Sequence, residues 1–176
     1  SQGMKDLYLS FGGGSERILV APDGADIERF DINISKEDAL QKLNLPQDKK
    51  IILHKGSLYD YVGAPLLALA MSYVQNKEAI CVFIGGSKKD EADFKNRFGA
   101  LDNVKILGNR PRPETPVYQK AADILAIPNS AKMDRTRIYA SPMKLFGYMA
   151  GGRPIVAADV PSLREILDEK RAYFFT

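Results

Sequence analysis

Seven short apolar runs recur along the chain: "RILVAP", "KIILHKG", "AICVFIGG", "NVKILGN", "ADILAIPN", "RPIVAAD" and "AYFF". They are rich in Val and Ile and nearly continuous, the pattern of strands covered on both faces of a parallel sheet. Between them, the segments "KEDALQKLNL", "APLLALAMSYVQN", "KKDEADFKNRFGAL", "PETPVYQKAA", "PMKLFGYMA" and "PSLREILDE" read as helices, and "QGMKDLYLSFG" as one more ahead of the first strand. Regular alternation with short loops predicts an α/β fold: a doubly wound, Rossmann-like parallel sheet with helices on both faces. The 176 residues fit one domain. A helix at the start with no strand before it, Ser1 in place of Met, and an end just after a strand predict a piece of a longer chain.

Composition narrows the chemistry. A net charge of +3, with Lys and Arg interspersed among Asp and Glu, gives no support for nucleic acid. The densest charge run, "KKDEADFKNR", reads as a solvated helix face. No apolar run approaches the ~20 residues of a membrane span. The single Cys81 reads as a small core residue and fits a reducing cytoplasm. One His and one Cys leave no His/Cys metal site.

Ligands of open α/β sheets sit beyond the carboxyl ends of the strands. The places to examine are therefore Gly56 and Ser57, Gly85 and Gly86, Gly108 with Asn109 and Arg110, Asn129 with Ser130, and Asp159. Neither GxxxxGK[ST] nor GxGxxG is present, so a P-loop or a standard dinucleotide site has no support. "FGGGSE" precedes a strand and reads as a loop. The anion site expected instead is the start of a helix from Ser141 to Ala150, with Ser141 at the N-cap and Pro142 at the first position. Lys144 in the first turn opposes the helix dipole unless an anion is bound. Lys144, Gly147 and Tyr148 share one face, and Phe146, Met149 and Ala150 are expected on the core side. Gly147 is an anomaly, since glycine inside a helix costs about 1 kcal/mol relative to alanine.

These stretches resemble the group 1 glycosyltransferases, retaining enzymes of the two-domain GT-B fold, along nearly the whole chain. "LVAPDGADIERF" resembles the family's interdomain segment, and "ILHKGSLYDYVGAPLLALA" its first donor-domain strand, turn and helix. "VKILGNRPRPETPVYQKAADILAIPNS" and "SPMKLFGYMAGGRPIVAADVPSLREIL" are the most specific matches. The resemblance implies the C-terminal, donor-binding domain, with residues 1–16 as an interdomain helix and loop. It implies transfer of a hexosyl group from a nucleoside-diphosphate sugar to a glycan or lipid-linked acceptor, without an obligatory metal or other cofactor. An N-terminal acceptor domain is then missing, and the chain alone is expected to be inactive. A cytoplasmic location follows, any membrane attachment lying in the missing half, and polysaccharide assembly is the family's usual setting.

The candidate donor-site residues are Gly56, Ser57, Gly85 and Gly86 at the strand exits, Asn109 and Arg110, which the resemblance places at the nucleobase, and Ser141, Pro142, Met143 and Lys144, which it places at the diphosphate or the transferred sugar, with Leu145 and Gly147 on the same helix. Lys144 is the one assigned to catalysis. Glu165 matches the P-S-x-R-E glutamate, expected to cap or to form a salt bridge. Three positions depart from the family pattern. Gly147 stands where a glutamate binds the ribose hydroxyls, Val62 where a basic residue precedes Gly63, and Ser57 where arginine or histidine is frequent. A degenerate domain that binds or scaffolds without catalysis is therefore the alternative. An epimerase of the same architecture lacks a counterpart for its catalytic histidine and carboxylates.

Overall fold

The computed structural model describes residues 1–176. Six strands form one parallel sheet: β1 (Lys50–Lys55), β2 (Ala79–Ile84), β3 (Val104–Gly108), β4 (Ile124–Ile127), β5 (Ile155–Ala158) and β6 (Tyr173–Phe175), in the order β3-β2-β1-β4-β5-β6. All five pairings are parallel. The order reverses between β1 and β4, the topological switch point at which such sheets open a crevice. β2 is buried along its whole length, as its unbroken apolar run requires. Cys81 is wholly buried within it, and burial pushes the thiol pKa up. Larger and smaller core clusters cover the two faces of the sheet.

The helices are α1 (Gln2–Ser10), α2 (Lys36–Lys42), α3 (Ala64–Met71), α4 (Lys88–Phe98), α5 (Thr115–Ala121), α6 (Met143–Gly151) and α7 (Pro161–Arg164). Ser87 and Asp90 form a reciprocal capping box at the start of α4, whose solvated face surrounds one buried anchor, Phe94. Gly152, left-handed at φ 65°, stops α6.

Four expectations are corrected. "RILVAP" pairs with no strand, and Leu19 within it is 87% exposed, so its apolar character is not that of a sheet interior. "PSLREILDE" forms only the single turn of α7 before it breaks into turns. The N-cap of α6 is Pro142, with no side-chain cap, because the Ser141 hydroxyl instead bonds the Asp23 carboxylate. Finally, Leu145 and Tyr148 are the fully buried face of α6, whereas Met149 is exposed. The hydroxyl of Tyr148 accepts a 2.8 Å hydrogen bond from the Lys55 N–H, beyond the last β1–β4 pairing at Leu53 and Leu125. Tyr148 thus closes the ladder where the crevice opens. Tyr148→Phe is expected to lower stability by about 1–2 kcal/mol through the orphaned N–H. A reduced urea midpoint with an unchanged m-value would show it.

Candidate functional site

Two adjoining cavities lie at the carboxyl ends of β1–β3. The first, of about 240 Å³, is lined by Lys55, Gly56, Gly85, Gly86, Asn109, Arg110, Arg112 and Thr115, with Ile84 at its floor. The second, of about 290 Å³, shares Lys55, Gly56 and Arg112 and adds Arg29, Phe30, Gln119, Met143, Lys144 and Gly147 among its walls. Gly56 sits between them at φ 142°, and a Cβ there would stand 3.2 Å from Lys144 Nζ, so glycine lets the lysine reach the end of β1.

The electrostatics are one-sided. None of Arg29, Lys55, Arg110, Arg112 and Lys144 makes an ion pair. Asp26, exposed on the rim, is the one carboxylate lining either cavity. Lys144 Nζ is enclosed and has no hydrogen-bond partner. Burial, aided by the charge of Lys55, pulls its pKa down to about 8. Lys55 is lowered as well, by burial and then by Arg29 and Arg112. A buried ammonium without a partner is costly, and a bound anion is what would relieve it. The N–H groups of Met143 and Lys144, at the uncapped start of α6, also have no partner in the protein and add to the same preference for negative charge.

His54, at the end of β1, is fully buried with Nε2 3.3 Å from the Ser57 carbonyl oxygen. Burial first, and then the charge of Lys144, lower its pKa to about 3, so the ring is neutral and structural. No three His, Cys, Asp or Glu side chains are grouped so as to hold a metal ion.

Of the residues assigned from sequence, Gly56, Gly85, Gly86, Asn109 and Arg110 line the first cavity, and Gly56, Met143, Lys144 and Gly147 the second. Ser57, Ser141, Pro142 and Leu145 line neither. Leu145 is wholly core, with its N–H bonded to the Pro142 carbonyl. Ser141 borders a separate cavity beside α1 and Glu165, whose carboxylate accepts from the Gln2 N–H at 2.9 Å. Glu165 therefore caps α1. Asp159 is held by Arg164 at 2.7 Å, which closes the exit of β5. Arg29, Lys55, Arg112 and Gln119 went unassigned in the sequence. A lysine at the very end of a strand and the arginines of "RPRP" were the signals for two of them; Arg29 and Gln119 carried none. At Gly147 the space a side chain would take is already flanked, with a Cβ falling 3.1 Å from Phe30 Cζ and 3.8 Å from Gln119 Nε2.

A family model described as glycosyl transferases, group 1, matches residues 35–175. The D-inositol 3-phosphate glycosyltransferases of Xylanimonas cellulosilytica and Corynebacterium aurimucosum are each 25% identical to the chain, covering 93% and 90% of it but only 40% and 41% of their own lengths. In structure, the chain is similar to HepE of Anabaena, solved in complex with UDP, with a TM-score of 0.78 at 22% identity over 100% of this chain and 48% of that one. It is also similar to the C-terminal domain of LpcC, a group 1 family protein of Francisella tularensis, with a TM-score of 0.66 at 18% identity over 86% of this chain and 80% of that one. The chain thus spans less than half the length of the curated relatives it matches. Together with the six-stranded parallel sheet, the family match over residues 35–175 establishes that the chain belongs to the group 1 glycosyl transferases and has the Rossmann-like α/β fold of their GT-B structures.

Proposed function

We propose that the chain is the donor-binding half of a retaining glycosyltransferase, which holds a nucleoside-diphosphate sugar across the two cavities and presents its hexosyl group to a glycan or lipid-linked acceptor. The observation that carries this reading is the set of unpaired cations at the switch point, Lys55, Lys144, Arg29 and Arg112. A departing diphosphate gains negative charge as the bond to the sugar breaks, and preorganised cations and helix N–H groups stabilise that charge. Side chains therefore meet the charge here in place of a metal, with Lys144 as the catalytic cation. Asn109 and Arg110 line the cavity assigned to the nucleobase. Solved complexes of the Anabaena neighbour with UDP and with UDP-glucose support a nucleotide sugar as the donor class.

The acceptor is held by a second, N-terminal domain of the same protein, reached through the helix and loop of residues 1–16. Phe11, Leu19 and Ile27, 78%, 87% and 71% exposed, supply apolar surface for that contact. No helix is long and apolar enough to cross a membrane. Our reading places the donor domain in the cytoplasm and any membrane contact in the other half.

Calorimetric titration with UDP, GDP, ADP and pyrophosphate tests the proposal. Binding of pyrophosphate and of at least one nucleotide is expected, and silence with all four at millimolar concentration would overturn it. With the corresponding nucleoside-diphosphate sugars as donors, the chain alone is expected to give no transfer product. The Phe30 ring beside Gly147 favours a second reading, a domain that binds without catalysing. Transfer by the chain joined to its acceptor domain would sink that alternative.

A further inference from the structure

Gly147 and Gly151 stand one turn apart on α6, and the side chain of Gln119 on α5 lies across both. A Cβ at Gly151 would fall 2.2 Å from Gln119 Oε1, and one at Gly147 would fall 3.8 Å from its Nε2. Gly151 therefore makes the room in which the carboxamide rests, while Gly147, at ordinary van der Waals distance from Nε2, lines the cavity beside it. Gln119 is 1% exposed, its Oε1 has no hydrogen-bond partner, and it forms part of the wall of the cavity that Lys144, Arg29 and Arg112 also line. Thr115, four residues earlier and 2% exposed, lines the adjoining cavity from the same face of α5.

Packing does not account for this residue. A buried polar atom without a partner is destabilising, and an apolar side chain of the same size would fill the space without that loss. Its placement points to a ligand. The cations select an anionic group, whereas the carboxamide is neutral and offers both a donor and an acceptor. A half-turn about its last torsion, which has two-fold preference, exchanges the two atoms and lets either face the cavity. A carboxylate in its place would pair with a neighbouring cation and withdraw charge from the anion site, which the carboxamide leaves intact. A hydroxyl next to a diphosphate matches this arrangement: it accepts from Nε2 as the carboxamide stands, or donates to Oε1 after the half-turn.

We infer that Gln119 is a specificity-determining residue of the donor site, hydrogen-bonding a hydroxyl of the nucleotide's ribose. The inference rests on the donor-binding reading above. Its test compares UDP, 2′,3′-dideoxyuridine diphosphate and pyrophosphate by calorimetry on the wild type, Gln119→Met and Gly151→Ala. The last variant displaces the carboxamide without changing Gln119 itself, and it carries the test if Gln119→Met fails to fold. The wild type is expected to prefer UDP over the dideoxy analogue by about fivefold, the scale of one net hydrogen bond. Both variants are expected to bring that ratio close to one while pyrophosphate binds as before. An undiminished preference in a folded variant, or none in the wild type, overturns the assignment of Gln119 while pyrophosphate binding upholds the anion site. A wild type that binds neither UDP nor pyrophosphate overturns both readings.

Discussion

Lys144→Met is expected to make the unliganded protein more stable and to remove most of its affinity for diphosphates. The ammonium is enclosed without a partner, and its pKa falls from the ordinary 10.5 to about 8. Below pH 8 the group is protonated in both the folded and the unfolded chain, so the folded state bears the whole desolvation cost. At about 1.4 kcal/mol per pKa unit this is roughly 2–3 kcal/mol, allowing for the partly exposed stem. The cost fades as the pH rises from 8 to 10.5, where the folded state binds fewer protons than the unfolded one. The stabilisation by methionine is therefore expected in full at pH 7 and to vanish near pH 10.5, which urea unfolding at a series of pH values would read. Binding runs the other way. A charge-assisted contact to phosphate is worth about 1.5–3 kcal/mol, so affinity for pyrophosphate should fall at least tenfold. Bound diphosphate also raises the lysine's pKa, so the wild type should take up a proton on binding at about pH 8.5. Calorimetry in two buffers of different ionisation enthalpy would show that uptake, and methionine should abolish it. Unchanged stability together with unchanged binding would remove Lys144 from the anion site.

The sheet was legible because strands buried on both faces write themselves as continuous apolar runs; β2 in "AICVFIGG" and β5 in "RPIVAAD" need no partner to be recognised. "RILVAP" has the same local pattern and no pairing, since hydropathy alone does not say which surface an apolar run covers. The phase of α6 was misread for a related reason. In a nine-residue helix two apolar stripes compete, and the hydroxyl of Tyr148 makes a core residue look like a ligand contact. Strand-exit glycines and Lys144 point to the edge of the sheet where the two cavities lie. The rest of the charge came from Arg29, Lys55 and Arg112, which are far apart in sequence and meet only where the chain before β1, β1 itself and the turn before α5 converge. Gln119 lies inside a helix that reads as ordinary. Only Gly151 opposite, seen in three dimensions, reveals that space was left for it.

The protein is expected to lose stability steeply in mild acid through one residue. His54 is the single histidine of the chain, and its folded pKa of about 3 lies well below the ordinary 6.5. As the pH falls from 6.5 toward 3, the unfolded chain gains a proton that the buried ring refuses. Stability then drops by up to about 1.4 kcal/mol per pH unit, roughly 4–5 kcal/mol across the window. Side-chain carboxylates also contribute to acid unfolding, but their ordinary pKa values lie near 4, so the portion between pH 6.5 and 5 isolates the histidine. Urea midpoints of the wild type should decline through that portion, and those of His54→Leu should stay level there. The second cause of the low pKa, the charge of Lys144, adds a further expectation. Lys144→Met should raise the histidine's folded pKa and so shrink the acid loss. A bound diphosphate that offsets the lysine's charge should act in the same direction. The neutral ring and the unpaired ammonium are thus one coupled device at the end of β1. Equal acid slopes in the wild type, His54→Leu and Lys144→Met would dissolve that coupling.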